Sequence, residues 1–80
     1  MIARVSVTLK PALLDVQGKT VQQGLESLGF KHLTRVRVGK LIEIELDGSS
    51  VEAATREAER MCQQLLANPV IETYHIEIKK

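Results

Sequence analysis

The sequence predicts an α+β fold, a two-layer sandwich with the element order β-α-β-α-β and an antiparallel sheet. Three observations predict it. Both ends of the chain alternate polar and apolar residues, two internal stretches place apolar residues three and four apart, and a run between them has all its apolar residues at even numbers. The 80 residues form one small domain, assigned to 1–80, with no room for a second module.

In the first segment Ala3, Val5, Val7 and Leu9 point one way and Arg4, Ser6, Thr8 and Lys10 the other, so 3–10 reads as a strand with one buried face. Pro11 has no N–H for a ladder and stops it; Pro11 to Gly18 reads as a connecting loop carrying Leu13-Leu14. From Lys19 to Leu28, Val21, Leu25 and Leu28 share a helical stripe, and Gly29 is placed to cap it. Over 35–46, Val36, Val38, Ile42, Ile44 and Leu46 share one parity around Gly39-Lys40. A two-residue hairpin there would pair Arg37 with Ile42 and Val36 with Glu43 and so mix the faces. The run is therefore read as one long strand bent at Gly39, about 12 residues against a usual ~5–6.

Asp47-Gly48-Ser49-Ser50 closes that strand and offers a serine N-cap. The second helix reaches about Ala67, burying Val51, Ala54, Ala58, Met61 and Leu65 beside Cys62 and Leu66, and Asn68-Pro69 ends it. The last strand runs from about Val70 to Lys79, with Tyr74, Ile76 and Ile78 on one face. This order puts two helices over one face of the sheet in ferredoxin-like outline and leaves the other face in need of a cover.

So short a chain buries only about 60% of the surface its unfolded form exposes, and its core needs a supplement. One cysteine excludes an intrachain disulfide, and one Cys with two His in no Cys-x-x-Cys spacing makes a poor zinc site. Association with another chain is the remaining route, and pairing through the sheet is expected. Eleven Lys and Arg against 10 Asp and Glu, a net +1, give no field to draw in nucleic acid or an anionic membrane. No run approaches the ~20 apolar residues of a membrane span, and Met1-Ile2-Ala3-Arg4 lacks a signal pattern, so a cytoplasmic location is expected.

Gly18-Lys19-Thr20 copies the end of a phosphate-binding Walker A loop, but that pattern requires glycine where Leu13 stands. Cys62 falls on the apolar face of the second helix, where a thiol is a small buried hydrophobe. His32 and His75 have no supporting nucleophile. Lys31, Arg35, Arg37 and Lys40 form the one basic concentration, with Glu43 and Glu45 on the same strand face as the arginines. Phe30 and Tyr74 are the only aromatic residues and make no stacking pair, which demotes RNA binding. An assembly component explains the chain better than a self-contained catalyst.

Three segments together resemble one family. Val7 to Val21, with Leu14-Asp15-Val16-Gln17-Gly18 at its centre, looks like the strand, Leu-Asp-Pro-Gln-Gly loop and helix start of PurS, the small subunit of bacterial phosphoribosylformylglycinamidine (FGAM) synthase. Arg37-Val38-Gly39-Lys40 resembles the family's Arg-Ile/Val-Gly-Lys segment, and Leu65-Leu66-Ala67-Asn68-Pro69-Val70-Ile71-Glu72 its helix end. Val16 departs from the common proline, which would stiffen the loop.

The resemblance implies a non-catalytic subunit of an ATP-dependent ligase of purine biosynthesis, which converts formylglycinamide ribonucleotide, glutamine and ATP to FGAM, glutamate, ADP and phosphate. A dimer of the small subunit would bridge the glutaminase subunit that releases ammonia and the large synthetase subunit that uses it. No cofactor would be bound by this chain, ATP and magnesium belonging to the synthetase. Asp15, Gln17, Gly18, Arg37, Lys40 and Asn68 would contact the larger subunits, with Gly39 in the same partner interface. Two other readings share the outline: an amino-acid-sensing regulatory domain, and a small RNA-binding module. Neither accounts for all three segments.

Overall fold

The computed structural model describes residues 1–80. In chain order the elements are β1 (Ile2–Leu9), α1 (Val16–Ser27), β2 (Lys40–Glu45), α2 (Val51–Met61), a π-helical turn (Cys62–Leu66) and β3 (Glu72–Lys79). The sheet is antiparallel throughout, in the order β2-β1-β3, so the expected α+β class and element order hold. Val5 of β1 faces Ile42 on one side and Ile76 on the other, which aligns the apolar faces of all three strands.

Local chemistry sets most boundaries. Asp15 is the N-cap of α1, with φ −103 and ψ 96, and its carboxylate accepts the Gly18 N–H. Helix therefore begins at Val16, earlier than the expected Lys19, and the Pro11 to Gly18 loop shortens accordingly. At the other end Gly29 takes φ +100 and donates to Glu26 O while Phe30 donates to Leu25 O, the paired bonds of a Schellman cap. Ser50 Oγ accepts from Ala53 N at 3.2 Å and starts α2 as the sequence predicts. The helix ends in extended backbone at Ala67, just before Asn68-Pro69.

The core is thin. Ala3, Val5 and Val7 of β1 meet Ala54, Ala58 and Cys62 of the second helical stretch, with Ala67 beside them; no buried side chain is larger than valine or cysteine. The buried stripe steps by four from Ala54 to Ala58 to Cys62, and the π turn then inserts a residue, closed by Ala67 N–H to Cys62 O at 3.0 Å. That extra residue turns Leu65 outward, to 83% exposure, in place of the predicted buried position.

Three further expectations are corrected. The ladder of the long strand begins at Lys40: pairing with β1 stops at Val7 opposite Lys40, and beyond it Val38 N donates to the Asp15 carboxylate and not to β1. The last strand begins at Glu72, since Asn68 first holds a turn by accepting from Ile71 N and Glu72 N. Of the two long helices only α2, continued by the π turn, packs on the sheet. α1 buries Gly18 alone, leaves Val21 and Leu28 exposed, and packs on its own return segment: Gln22 Nε2 donates to Leu33 O, and Lys31 Nζ to Glu26 O.

Residues 10–39 thus form an arm beyond the sheet. The molecule measures 48 × 26 × 15 Å with a radius of gyration of 15.9 Å; a compact chain of this length would give about 11.6 Å. Its accessible surface is 5940 Å², against about 4,800 Å² for a folded monomer of this mass. The open sheet face carries Arg4 Nε on Glu43 at 2.8 Å and Thr8 Oγ1 beside Thr73 Oγ1 at 3.3 Å, with Leu41 among them at 59% exposure. No helix is long and apolar enough to cross a membrane.

Candidate functional site

The loop after β1, the first turn of α1 and residues 35–40 converge at one end of the sheet, and Asp15 joins them. Asp15 is 6% exposed. Oδ1 accepts from Gly18 N at 2.8 Å and Oδ2 from Val38 N at 2.7 Å. The Val38 N–H first, then the Gly18 N–H, and lastly the Arg37 charge and the Gln17 N–H, hold its carboxyl below the ordinary value of 3.8 against the opposing effect of burial. One carboxylate therefore caps a helix and tethers the entry to β2.

Arg37 supports the same loop from the other side. Its Nη1 donates to Leu13 O at 2.8 Å, and its Nη2 to Lys10 O at 3.0 Å and Leu9 O at 3.4 Å, while Arg35 donates to Pro11 O. The planar guanidinium fork suits this gathering of carbonyls, which satisfies backbone groups the loop cannot pair internally. Two glycines allow the close approaches. A Cβ on Gly18 would lie 2.3 Å from Val36 O, and one on Gly39 would lie 2.7 Å from both Thr8 Cγ2 and Val7 O.

Of the seven residues singled out from the sequence, Asp15, Gln17, Gly39 and Lys40 line one concavity of about 210 Å³ beside Glu72. Gln17 and Lys40 are exposed there. Asn68 reaches the same end through Glu72, whose Oε1 accepts from Asn68 N at 2.7 Å, and its own Oδ1 accepts from Val70 N at 3.0 Å. Arg37 faces a second concavity across the loop, of about 330 Å³, with Lys19 and Arg35. Glu72 and Arg35 were missed by the sequence reading. Glu72 carries a signal, a carboxylate four residues after Asn68 at a strand start; Arg35 was visible only as part of a basic run.

The remaining candidates do not converge. Cys62 is buried in the core, where desolvation and then the Glu59 charge push its thiol up. His75 lies on the open sheet face and His32 in the segment after α1, at φ 69. Thr20 Oγ1 donates back to Val16 O at 3.0 Å, within its own helix, where a Walker loop would present the hydroxyl to a metal. No group of three or more His, Cys, Asp or Glu is gathered as a metal site. What this end of the sheet offers is amide, ammonium and carboxylate groups on a braced loop, the means of docking.

Comparison with known proteins agrees with the sequence resemblance. Residues 2–80 match the family PurS, described as "Phosphoribosylformylglycinamidine (FGAM) synthase". The phosphoribosylformylglycinamidine synthase subunit PurS of Synechocystis is 47% identical over 75 residues, 94% of this chain and 75% of that one. The crystal structure of Methanocaldococcus jannaschii PurS superposes with a TM-score of 0.90 at 39% identity, covering 99% of this chain and 95% of the other. A chain of the structure of PurLQS from Thermotoga maritima does so at 0.82 and 25% identity, over 96% of each.

Proposed function

This chain belongs to the PurS family of phosphoribosylformylglycinamidine synthase subunits, and from that premise we propose that it works as the non-catalytic bridge of that enzyme in purine biosynthesis. The observation that carries the reading is the full-length likeness to the chain in PurLQS, a structure named for a complex with PurL and PurQ. In the proposed assembly PurQ releases ammonia from glutamine, and PurL, which handles ATP and magnesium, adds it to the substrate amide. Ammonia loses its nucleophilicity once protonated in water. A small subunit that holds the two sites together and helps wall off the passage serves both proximity and water exclusion.

The protomer associates with itself as well. Its surface exceeds that of a compact monomer by about 1,100 Å², comparable to the ~800 Å² each partner contributes to a standard interface. Gln17 and Asn68, exposed at one end of the sheet, are assigned to the larger subunits. Arg37, Gly39 and Lys40, beside them at the bend, are assigned to the same contact. Asp15 and Gly18 hold the loop that presents them all. The complex is cytoplasmic in this reading.

Reconstitution tests the function. Glutamine-dependent FGAM formation by the two larger subunits should require this chain, and formation from ammonium salts should not. Equal glutamine-dependent rates with and without the chain would overturn the reading. Gln17→Ala should leave the melting temperature unchanged and weaken capture of the larger subunits.

A further inference from the structure

We propose that the basic concavity between the loop after β1 and residues 35–37 is a carboxylate socket, which receives an Asp or Glu side chain from the surface of a larger subunit. This rests on the bridging reading above and adds to it the chemistry of the contact and two residues, Lys19 and Arg35, that carry it.

Unpaired cations supply the first argument. Lys19, Arg35 and Arg37 line one concavity of about 330 Å³. Arg35 commits a single N–H, to Pro11 O, and Arg37 is held by Leu13 O, Lys10 O and Leu9 O. Both forks are therefore fixed in place, and the Arg35 fork keeps most of its donors. The two ion pairs of the chain, Arg4 with Glu43 and Lys79 with Glu77, lie on the sheet, and none of the three cations enters either. The one carboxylate at the concavity is Asp15, whose oxygens are taken by Gly18 N and Val38 N. A planar fork with free donors, positioned before its ligand arrives, suits a bidentate carboxylate.

The shape of the concavity supplies the second. Pro11, Leu13, Leu14, Lys19 and Arg35 all line it and all are exposed, and its volume is at the small end of the ~300–1,000 Å³ of ligand pockets. A free small molecule would stay half in water there. A partner surface brings its own wall, covers Leu13 and Leu14 at the rim and excludes water from the ion pairs, the setting in which arginine anchors contribute most. The concavity also shares Asp15 with the smaller one that carries Gln17 and Lys40, so it extends the contact surface already assigned.

Charge distribution supplies the third. Residues 10–40 carry six of the 11 basic residues and two of the 10 acidic ones, so the arm is strongly positive although the whole chain is only +1. Like charges gathered in this way repel one another within the protomer. An acidic partner surface relieves that repulsion and steers the encounter.

Charge reversal at Lys19 tests the socket, because its effects on folding and on docking have opposite signs. Lys19 is exposed in the first turn of α1, where an acidic residue favours the helix, so Lys19→Glu should melt no lower than the parent. Its capture of the purified larger subunits should weaken about tenfold, and that of Lys19→Glu/Arg35→Gln about a hundredfold, while added salt should weaken capture by the parent. Arg56→Glu, exposed on α2, makes the same change in net charge and should bind as the parent does. Among acidic-to-lysine substitutions on the larger subunits, one should restore capture of Lys19→Glu. Undiminished capture by the Lys19 and Arg35 variants, or an equal loss in Arg56→Glu, overturns the socket and leaves the bridge standing. Saturable binding of inorganic phosphate by the isolated chain, abolished in Lys19→Glu, assigns the concavity to a small anion and overturns the docking. A parent chain that captures neither larger subunit overturns both readings.

Discussion

At the residue scale, Asp15 and Gly18 show how one position can be recognised by sequence and understood only in three dimensions. Both stand in the motif that marks the family, for which the resemblance implies partner contact. Within the protomer the Asp15 carboxylate is occupied by Gly18 and by Val38, 23 residues away, a bond with no local signature. Its depressed pKa gives the sign of a pH effect. The carboxylate contributes stability that is full above the ordinary value of 3.8 and is lost as pH falls through the lower folded value. Asp15→Asn should therefore lower the melting temperature by several degrees at neutral pH and converge with the parent in acid, as thermal melts between about pH 7 and about pH 2 would record. Glycine position gives a sharper contrast. Gly24→Ala meets nothing within 4 Å and should stabilise by about 0.5–1 kcal/mol. Gly18→Ala, driven against Val36 O, should destabilise despite the same gain in helix propensity, a difference visible in denaturant midpoints.

At the element scale, most of the chain was legible because its signals are local. Alternation marked β1 and β3, serine marked the start of α2, and Gly29 marked the end of α1. The failures share one cause: they depend on neighbours. The stripe of Val21, Leu25 and Leu28 is a sound helical pattern, yet α1 packs on its own return segment and not on the sheet. Val36 and Val38 have strand chemistry, but neither pairs with a strand, and Val38 N donates to Asp15. The π turn at Cys62–Leu66 shifts the buried face by one residue, which a 3.6-residue period cannot foresee. It follows that Leu65→Lys should change unfolding free energy by no more than about 0.5 kcal/mol. Ala58→Leu, forced into a core position that is 0% exposed, should cost about 1–3 kcal/mol. Urea unfolding of the two variants would check both.

At the scale of the whole molecule, the thin core, the projecting arm and the excess surface describe a chain that completes itself in company. Nine of 80 residues are buried, which leaves little apolar burial to offset the conformational entropy of ordering the rest. The arm is braced at its root by Asp15, Arg35 and Arg37, so it is held out in a defined position where a partner can meet it. Composition exposed the shortfall in core without identifying what makes it up; the proposed association with other chains is what would supply it. The most direct measurement of this claim is the melting temperature as a function of protein concentration, followed by sedimentation. A midpoint that rises steadily from about 1 to about 100 μM, with a species heavier than 8.9 kDa throughout, is the predicted result. A midpoint independent of concentration, from a folded species sedimenting at the mass of one chain, would contradict it.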